Sequence, residues 1–321
     1  MKNFISLHDL SDLDKSIKAA LELKRNAHRS RIGEGRVLCL VFFNSSLRTR
    51  LSTQRAAINL GLETLVMNFN QEGWKLEFEE NTIMDSTKAE HIKDAARIVS
   101  MYADIIAVRA FAGLKNREED YQDLVLQGFV KYASVPVINM ESSIAHPLQS
   151  FADAMTIKEH WPNKKRIKVV LSWAPHPKPL PQAVANSFVE MIKLQSENID
   201  FVITHPKGYE LSDRYTEGIS FEENQLEAFK DADFIYAKNW SSYRSYGEVL
   251  IFDKSWEITS EKMLCTSAAR FMHCLPVRRN VVVSDQVIDS EKSLILEQAE
   301  NRTFAAQHVL QEILTELNER D

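Results

Sequence analysis

Apolar segments of strand length alternate along this chain with amphipathic segments of helical length. Three runs dominated by apolar residues occur in the first half, as is typical of strands buried on both faces: VLCLVFF (37–43), DIIAVRA (104–110) and VPVINM (135–140). Longer segments separate them and predict helices: SDLDKSIKAALELKRNAHR (11–29), RTRLSTQRAAINL (48–60), AEHIKDAARIVSMY (89–102) and EEDYQDLVLQGFVKYA (118–133). Ser11 or Asp9 is the predicted cap of the first helix.

The second half repeats the alternation. Its predicted strands are IKVVLSW (167–173), IDFVITH (199–205), DFIYAKNW (233–240) and ARFMHCL (269–275). Alternation of this kind predicts an α/β fold with two doubly wound parallel-sheet domains, joined by a helix within 146–166. We place the domains at 1–147 and 148–302, and expect the C-terminal helix (303–321) to pack back on the first domain.

Composition narrows the class of protein. The net charge is −6 over 321 residues and no basic tract is present, which argues against a nucleic-acid partner. No apolar run is long enough for a membrane span, and the N-terminus lacks a signal-peptide pattern. Three cysteines without CxxC spacing favour a reducing cytoplasm and no metal site. No GxGxxG or P-loop motif supports a nucleotide cofactor.

Candidate chemistry clusters where predicted strands end, which is where open α/β sheets bind ligands. FFNSSLRTRLSTQ (42–54) brings hydroxyls and the guanidinium groups of Arg48 and Arg50 to the start of a helix. Helix N-termini and arginine forks both favour phosphate, so the stretch predicts a phosphate site without glycine. Helix caps and a solvated basic face are the alternative interpretation.

The other strand ends add polar groups of the same kind. Arg109 ends the second strand, and a surface salt bridge would explain it equally well. Glu141, His146 and Gln149 follow the third strand; His146 and Gln149 can donate to a carbonyl oxygen, although His146 alone is more typical of a structural histidine. Cys274 follows the last strand, as a nucleophile or a small buried residue. Together these groups suit a phosphate-bearing ligand with a polarised carbonyl.

Three motifs carry a family resemblance: SLRTR (46–50), HPLQ (146–149) and HCLPVRR (273–279). In order along the chain, they resemble the signatures of the aspartate/ornithine carbamoyltransferases. The resemblance implies two doubly wound domains, carbamoyl transfer from carbamoyl phosphate to an amine, no cofactor, and a homotrimer with sites at subunit boundaries.

The resemblance also implies roles for matching residues. Those implied for carbamoyl phosphate are Ser46, the Leu47 backbone, Arg48, Thr49, Arg109, His146, Gln149, Arg302 and, from a neighbouring subunit, Trp74. Those implied for catalysis are Arg109, His146, Gln149, Cys274 and Arg278.

The acceptor is indicated by DFIYAKNWSSYRSYGE (233–248). Ornithine enzymes have an aspartate at the place of Lys238, which pairs with the α-ammonium group; a lysine would repel that group and favour an acylated nitrogen. NQEGWKLEF (70–78) and WAPHPKPLPQAVANS (173–187) resemble the N-acylornithine branch. Residues implied near the acylornithine are Glu141, His176, Lys238, Cys274, Leu275, Arg278, Arg302, Lys88 and Ala89.

The loop MDSTKAEHI (84–92) indicates which acyl group the acceptor carries. Acetyl-preferring enzymes of the branch carry glutamate at the place of Ala89, and succinyl-preferring ones carry proline. Without that glutamate, and with Lys88 and Lys238 able to attract a carboxylate, N-succinyl-L-ornithine is favoured over N-acetyl-L-ornithine. A plain ornithine enzyme and a catalytically silent phosphate-binding homologue are the remaining alternatives.

Overall fold

The computed structural model describes residues 1–320, and these divide into two compact units. Unit 1 contains Met1–Gly113, Glu118–Phe151 and the C-terminal segment from Arg302 onward, while unit 2 contains Leu114–Arg117 and Ala152–Asn301. The sequence boundaries at 147/148 and 302/303 lie close to these divisions.

The elements of the first half and the C-terminal helix are as follows. The strands are β1 (Val37–Phe42), β2 (Glu63–Asn68), β3 (Leu76–Glu77), β4 (Glu90–His91), β5 (Ile105–Arg109) and β6 (Val137–Glu141). The helices are α1 (Leu13–Arg25), α2 (Arg48–Asn59), α3 (Phe69–Glu72), α4 (Ile92–Met101), α5 (Arg117–Gln122), α6 (Leu124–Tyr132), α7 (Pro147–Glu159) and, at the C-terminus, α13 (Ile295–Asn318).

Unit 1 is built on a parallel sheet in the order β2-β1-β5-β6. Its apolar strands are buried because helices cover both faces, as expected for doubly wound sheets. In the register, Phe42 faces Arg109, and Arg109 faces Glu141. Three neighbouring strands therefore end side by side, and their polar termini lie at one edge of the sheet.

Unit 2 repeats this design with a different set of elements. The strands are β7 (Ile167–Trp173), β8 (Ile199–Thr204), β9 (Ser220–Phe221), β10 (Phe234–Lys238) and β11 (Arg270–Met272). The helices are α8 (Ala183–Leu194), α9 (Asp213–Thr216), α10 (Gln225–Phe229), α11 (Ser260–Met263) and α12 (Asp285–Ile288). The sheet is parallel in the order β11-β10-β7-β8-β9, with Lys238 beside Trp173. The predicted fold class is confirmed.

Two helical predictions need correction. The segment 118–133 forms two helices, α5 and α6, because Asp123 between them adopts a left-handed backbone conformation with φ 53° and its carboxylate accepts from Ser143 N at 3.1 Å. The first helix is capped by Asp12, which accepts from Lys15 N at 3.0 Å, rather than by Ser11 or Asp9. Hydrogen bonds between side chains and nearby backbone groups, which leave the hydrophobic pattern unchanged, accompany both differences.

A membrane span is a separate question. Among residues 1–320, we find no helix with the length and apolar character to cross a bilayer.

Candidate active site

The start of α2 is the first part of the site in unit 1. β1 ends at Phe42 and α2 begins six residues later at Arg48, with the Ser46 hydroxyl accepting from Thr49 N at 3.2 Å. Leu47, at the cap position, is exposed and makes no side-chain cap. Ser46 thus supplies a side-chain acceptor to the first turn, and the partial positive charge of the helix N-terminus remains to attract an anion.

Thr49 joins two arginines from distant parts of the sequence. Its side chain is fully buried, and its Oγ1 accepts from Arg109 Nη1 at 3.0 Å and from Arg302 Nη2 at 2.6 Å. Arg109 arrives at the end of β5, and Arg302 arrives on α13. Two guanidinium groups thus converge on the helix N-terminus, and all three groups favour an anion.

Glu141 counters this positive charge from the end of β6. Its Oε2 accepts from Arg109 Nη1, and it lies 3.2 Å from His146 Nε2. His146 Nε2 also lies 3.5 Å from Arg302 Nη2, so this ring nitrogen sits between a carboxylate and a guanidinium group. Glu141, Arg109 and His146 are each less than a tenth exposed, so their orientations are fixed before any ligand binds.

Three further polar residues from the sequence motifs have different environments. Gln149 is buried in the first turn of α7, next to His146, and Arg48 is half-buried in the first turn of α2. Arg50 instead donates to Asn68 Oδ1 at 2.9 Å and packs over the ring of Phe42. The structure therefore assigns Arg50 a packing role within unit 1.

A cationic cluster occupies the strand ends of unit 2. We call His176, Lys238 and Arg278 the acceptor cluster, because sequence analysis assigned all three to the acceptor. Arg278 Nε donates to His176 Nε2 at 2.9 Å, and the other ring nitrogen donates to Lys178 O at 2.7 Å. Burial lowers the pKa of His176, and the nearby charges of Arg278 and Lys238 lower it further. His176 is therefore neutral and orients the Arg278 guanidinium.

Carboxylates are missing from this cluster. Within the part of the chain that the structure describes, none of its three members forms an ion pair. Arg279, by contrast, is paired with Asp285 and Asp289. Adjacent arginines thus have opposite environments: Arg279 is neutralised by the protein, whereas Arg278 retains its charge for a ligand.

The segment after β11 brings Cys274 and Leu275 to the same edge. Cys274 is buried beside Tyr236, and burial holds the pKa of Tyr236 well above its ordinary value. Leu275 has a left-handed backbone conformation with φ 56°, and its N–H donates to His273 Nδ1 at 2.9 Å. This turn fixes where the chain passes the strand end.

The loop with Lys88 and Ala89 lies in unit 1. Lys88 Nζ is 3.0 Å from Glu77 Oε1, and the N–H groups of Phe78 and Glu79 also donate to that oxygen. These contacts lower the pKa of Glu77 to about 2. Ala89 is exposed and tied to the Lys75 carbonyl. Trp74 is 67% exposed.

Sequence reasoning missed the contacts of two acidic residues. Glu141 was expected near the acceptor, but its bonds to Arg109 and His146 follow from the register of β5 and β6, which the sequence does not reveal. Glu77 lies within NQEGWKLEF (70–78), but sequence analysis gave it no role. For metals, the described residues hold no group of three or more His, Cys, Asp or Glu side chains placed to bind an ion.

Comparisons with known proteins agree with this geometry. The aspartate/ornithine carbamoyltransferase carbamoyl phosphate-binding domain matches residues 2–159, and the aspartate/ornithine-binding domain of that family matches residues 181–313. The chain belongs to the aspartate/ornithine carbamoyltransferase family.

The relatives of this carbamoyltransferase are similar over nearly their whole length. The chain is 46% identical to the N-succinylornithine carbamoyltransferase of Bacteroides thetaiotaomicron, over 98% of this chain and 99% of that protein. It is 36% identical to the N-acetylornithine carbamoyltransferase of Xanthomonas campestris, over 97% of each. A solved N-acetyl-L-ornithine transcarbamylase superposes with a TM-score of 0.90 at 35% identity, covering 98% of this chain and 100% of the other.

Proposed function

We propose that this carbamoyltransferase moves the carbamoyl group of carbamoyl phosphate to the δ-amine of N-succinyl-L-ornithine, giving N-succinyl-L-citrulline and phosphate in arginine biosynthesis. The observation that carries the donor half is the convergence of Arg109 and Arg302 on Thr49 at the start of α2. The acceptor half rests on the acceptor cluster and the Lys88–Ala89 loop.

The donor half stabilises two developing charges. Ser46, Arg48 and the start of α2 hold the phosphate, whose departure as a leaving group adds negative charge. Arg109 and Thr49 point hydrogen-bond donors at the carbamoyl oxygen, which becomes negative when the amine attacks its carbon. Their preset orientation lowers the barrier because little reorganisation is needed as charge develops. Gln149 binds the carbamoyl amide.

His146 has a more specific part in this scheme. His146 Nε2 lies 3.2 Å from Glu141 Oε2, so the two groups form a hydrogen bond when Nε2 carries the ring hydrogen. A carbonyl oxygen that displaced this contact would receive the hydrogen bond instead, and Glu141 would then be released from His146. The acceptor role of Glu141 that the sequence implied is consistent with this exchange.

The acceptor cluster suits a ligand with more than one carboxylate. N-succinyl-L-ornithine has an α-carboxylate and a succinyl carboxylate, and it lacks the α-ammonium group that Lys238 would repel. Arg278 and Lys238 carry uncompensated positive charge in the described structure, so anion binding there relieves mutual repulsion. Cys274 and Leu275 line the same strand edge as contacts for the acceptor's stem.

The choice of acyl group rests on Ala89 and Lys88. A solved glutamate-to-alanine variant of an N-acetyl-L-ornithine transcarbamylase contains carbamyl phosphate and N-succinyl-L-norvaline. This chain has alanine where acetyl-preferring enzymes of the branch have glutamate, so it lacks the carboxylate that would repel a succinyl group. Its greater identity to the N-succinylornithine enzymes supports the same preference.

A homotrimer completes the proposal. α2 and the adjacent edge strand β2 expose Leu51, Ile58 and Leu65, which are respectively 58%, 61% and 48% exposed. Apolar side chains of this size are typical of a subunit interface. Trp74, exposed in one subunit, would then reach the site of its neighbour. We place the protein in the cytoplasm, on the basis of its biosynthetic relatives; cell fractionation tests this assignment, and light scattering tests the trimer.

The deciding experiment is a steady-state comparison of N-succinyl-L-ornithine, N-acetyl-L-ornithine and L-ornithine with carbamoyl phosphate, following phosphate release. We expect kcat/KM to be highest for the succinyl substrate. Ala89→Glu should lower kcat/KM for that substrate about tenfold or more while sparing the acetyl substrate, because it restores a repelling carboxylate.

A control variant and three contrary outcomes test the assignment of the acceptor substrate. Lys75→Gln makes the same charge change of −1 at a neighbouring exposed side chain, and should leave the ratio of the two substrates unchanged. A higher kcat/KM for the acetyl substrate in the unmodified enzyme would overturn the succinyl assignment. Turnover with L-ornithine alone would favour a plain ornithine enzyme, and no turnover with any of the three would favour a silent homologue.

A further inference from the structure

A second cavity lies in unit 2, at the opposite side of its sheet from β11. It has a volume of about 280 Å³ and opens beyond the carboxyl end of β8, beside the edge strand β9. None of the residues assigned above to carbamoyl phosphate or to the acceptor lines it. The cavity is therefore a separate candidate site.

Two rings in tilted contact form one wall. The imidazole of His205 lies 4.4 Å from the ring of Phe221, centroid to centroid, with 34° between the planes. Phe221 is 52% exposed, although it is a large aromatic residue at a sheet edge. His205 Nδ1 is 2.9 Å from the Pro206 carbonyl oxygen, which can only accept, so Nδ1 carries the hydrogen. Burial lowers the pKa of His205, and its neutral ring leaves Nε2 as an acceptor.

Charges of both signs line the remaining walls. Glu210 and Asp213 contribute two carboxylates, and Arg244 contributes one guanidinium. Burial works to raise the pKa of Glu210, but backbone hydrogen bonds and the nearby charge of Arg244 act against it, and the pKa lies below its ordinary value. With His205 neutral, these groups carry a net charge of −1.

These features describe one class of ligand. A planar cation can stack on Phe221 while it bonds a carboxylate, and the guanidinium group does both. An amino acid with a guanidinium side chain adds an α-carboxylate for Arg244 and an α-ammonium for the second acidic side chain. Its net charge of +1 balances the cavity, and Ile203, Leu211 and Ile219 offer an apolar surface for its stem.

We propose that this cavity binds a free guanidinium amino acid, with L-arginine as the probe. Glu210 pairs with the guanidinium, Phe221 stacks on it, and Arg244 pairs with the α-carboxylate. This binding does not depend on the proposed transferase reaction.

The cavity is also connected to the segment that follows Lys238. Tyr209 adjoins Glu210; its carbonyl accepts from Trp240 Nε1 at 2.7 Å, and its hydroxyl oxygen accepts from Leu250 N at 2.8 Å. The 240–250 segment, which also supplies Arg244, is thus tied to one wall of the cavity. A ligand that bridges Glu210 and Arg244 would hold this segment, two residues after Lys238, in one conformation. Occupancy is therefore expected to change the KM for the acceptor.

Calorimetry on the full chain, with carbamoyl phosphate present, tests the site. L-Arginine should bind, L-citrulline should bind at least tenfold more weakly because its side chain is uncharged, and agmatine should bind more weakly because it lacks the carboxylate. Glu210→Gln should weaken arginine binding at least tenfold. Glu217→Gln, at an exposed carboxylate of the same segment outside the cavity, should leave it unchanged.

A second variant distinguishes a specific loss of arginine binding in this cavity from misfolding and from arginine binding at the acceptor site. Arg244→Met should weaken arginine binding but not agmatine binding, which a general loss of structure could not do. No arginine binding at about 10 mM, or equal binding to Glu210→Gln and the unmodified chain, would overturn the proposal. In the transferase assay, arginine should alter the acceptor KM in the unmodified enzyme and not in Glu210→Gln; equal effects in both would refute the coupling to Lys238.

Discussion

The two units present their ligand-binding groups in opposite ways. In unit 1, Thr49, Arg109, Glu141, His146 and Arg302 are buried and contact one another. In unit 2, Lys238 and Arg278 lie beside a neutral His176 without a carboxylate in the described structure. Unit 1 is preorganised by its own hydrogen bonds, whereas the acceptor cluster of unit 2 needs an anion to complete it.

This difference matches the demands on each substrate. The carbamoyl oxygen changes charge during the reaction, and fixed donors lower a barrier most effectively when they are already in place. The carboxylates of the acceptor keep their charge throughout, so they need binding and discrimination. Variants of unit 1 should therefore lower kcat, whereas variants of the acceptor cluster should raise the acceptor KM.

Arg109→Met should have the largest effect. It removes a donor to the carbamoyl oxygen and leaves Glu141 buried without its guanidinium, so kcat/KM for carbamoyl phosphate should fall by about 10³ and the melting temperature should also fall. Arg50→Met is the matched control, because Arg50 donates to Asn68; its loss should cost less than about tenfold. Activity of Arg109→Met within tenfold of the unmodified enzyme would break the contrast between the units.

Arg278→Met should raise the acceptor KM by about 10- to 100-fold, the usual cost of one charged hydrogen bond to a carboxylate, with little change in the KM for carbamoyl phosphate. Arg279→Met is the control, since Arg279 is paired with Asp285 and Asp289. Steady-state kinetics with each substrate varied in turn distinguishes the two. Equal effects of the two variants would show that the acceptor cluster does not bind the acceptor.

The smallest effect should come from a change at Asp123, which belongs neither to the buried site residues of unit 1 nor to the acceptor cluster. Burial raises the pKa of this carboxyl from 3.8 to about 6. Because the folded protein holds the proton more tightly than the unfolded chain, the stabilisation is complete below pH 3.8 and is lost as the pH rises through about 6. Asp123→Asn keeps an oxygen for Ser143 N without the charge, so it should be more stable than the parent above pH 6, by about 1–3 kcal/mol.

Denaturant unfolding across the pH range 4–8 measures this difference. The advantage of Asp123→Asn should shrink as the pH falls below about 6, where the parent carboxyl becomes protonated. Asp94→Asn, at an exposed side chain of α4, is the control and should shift stability little at any pH. A constant difference between Asp123→Asn and the parent would mean that burial does not perturb this carboxyl.

The fold and the donor motif were predictable because they depend on local information. Apolar runs mark buried parallel strands wherever they occur, and the segment 167–173 was located to the residue. Ser46, Arg48 and Thr49 are consecutive or nearly so, and their position before a helix is visible in the sequence. Arg109, Gln149, Lys238 and Cys274 followed from strand ends and from family resemblance.

The bonding within the site was not predictable in the same way. The contact between Arg109 and Glu141 depends on the register of two strands, and a shift of one residue would separate them. The pairing of Lys88 with Glu77 depends on the short strands β3 and β4, which are too brief to leave a periodic pattern. The break between α5 and α6 depends on the left-handed backbone conformation of Asp123. The helical sequence pattern on both sides of Asp123 does not reveal that conformation.

The hydroxyl of Thr49 has a consequence for how the donor substrate is oriented. A hydroxyl oxygen has two lone pairs, and here each receives a hydrogen from a different guanidinium group. Only its own hydrogen remains for a ligand, so a group that usually both gives and takes hydrogen bonds can only give one. The two ends of a planar carbamoyl group have nearly the same shape but opposite hydrogen-bonding character. With Thr49 at the carbamoyl group, as proposed above, its hydroxyl would distinguish oxygen from nitrogen without any difference in size and admit the group in one of its two flipped orientations.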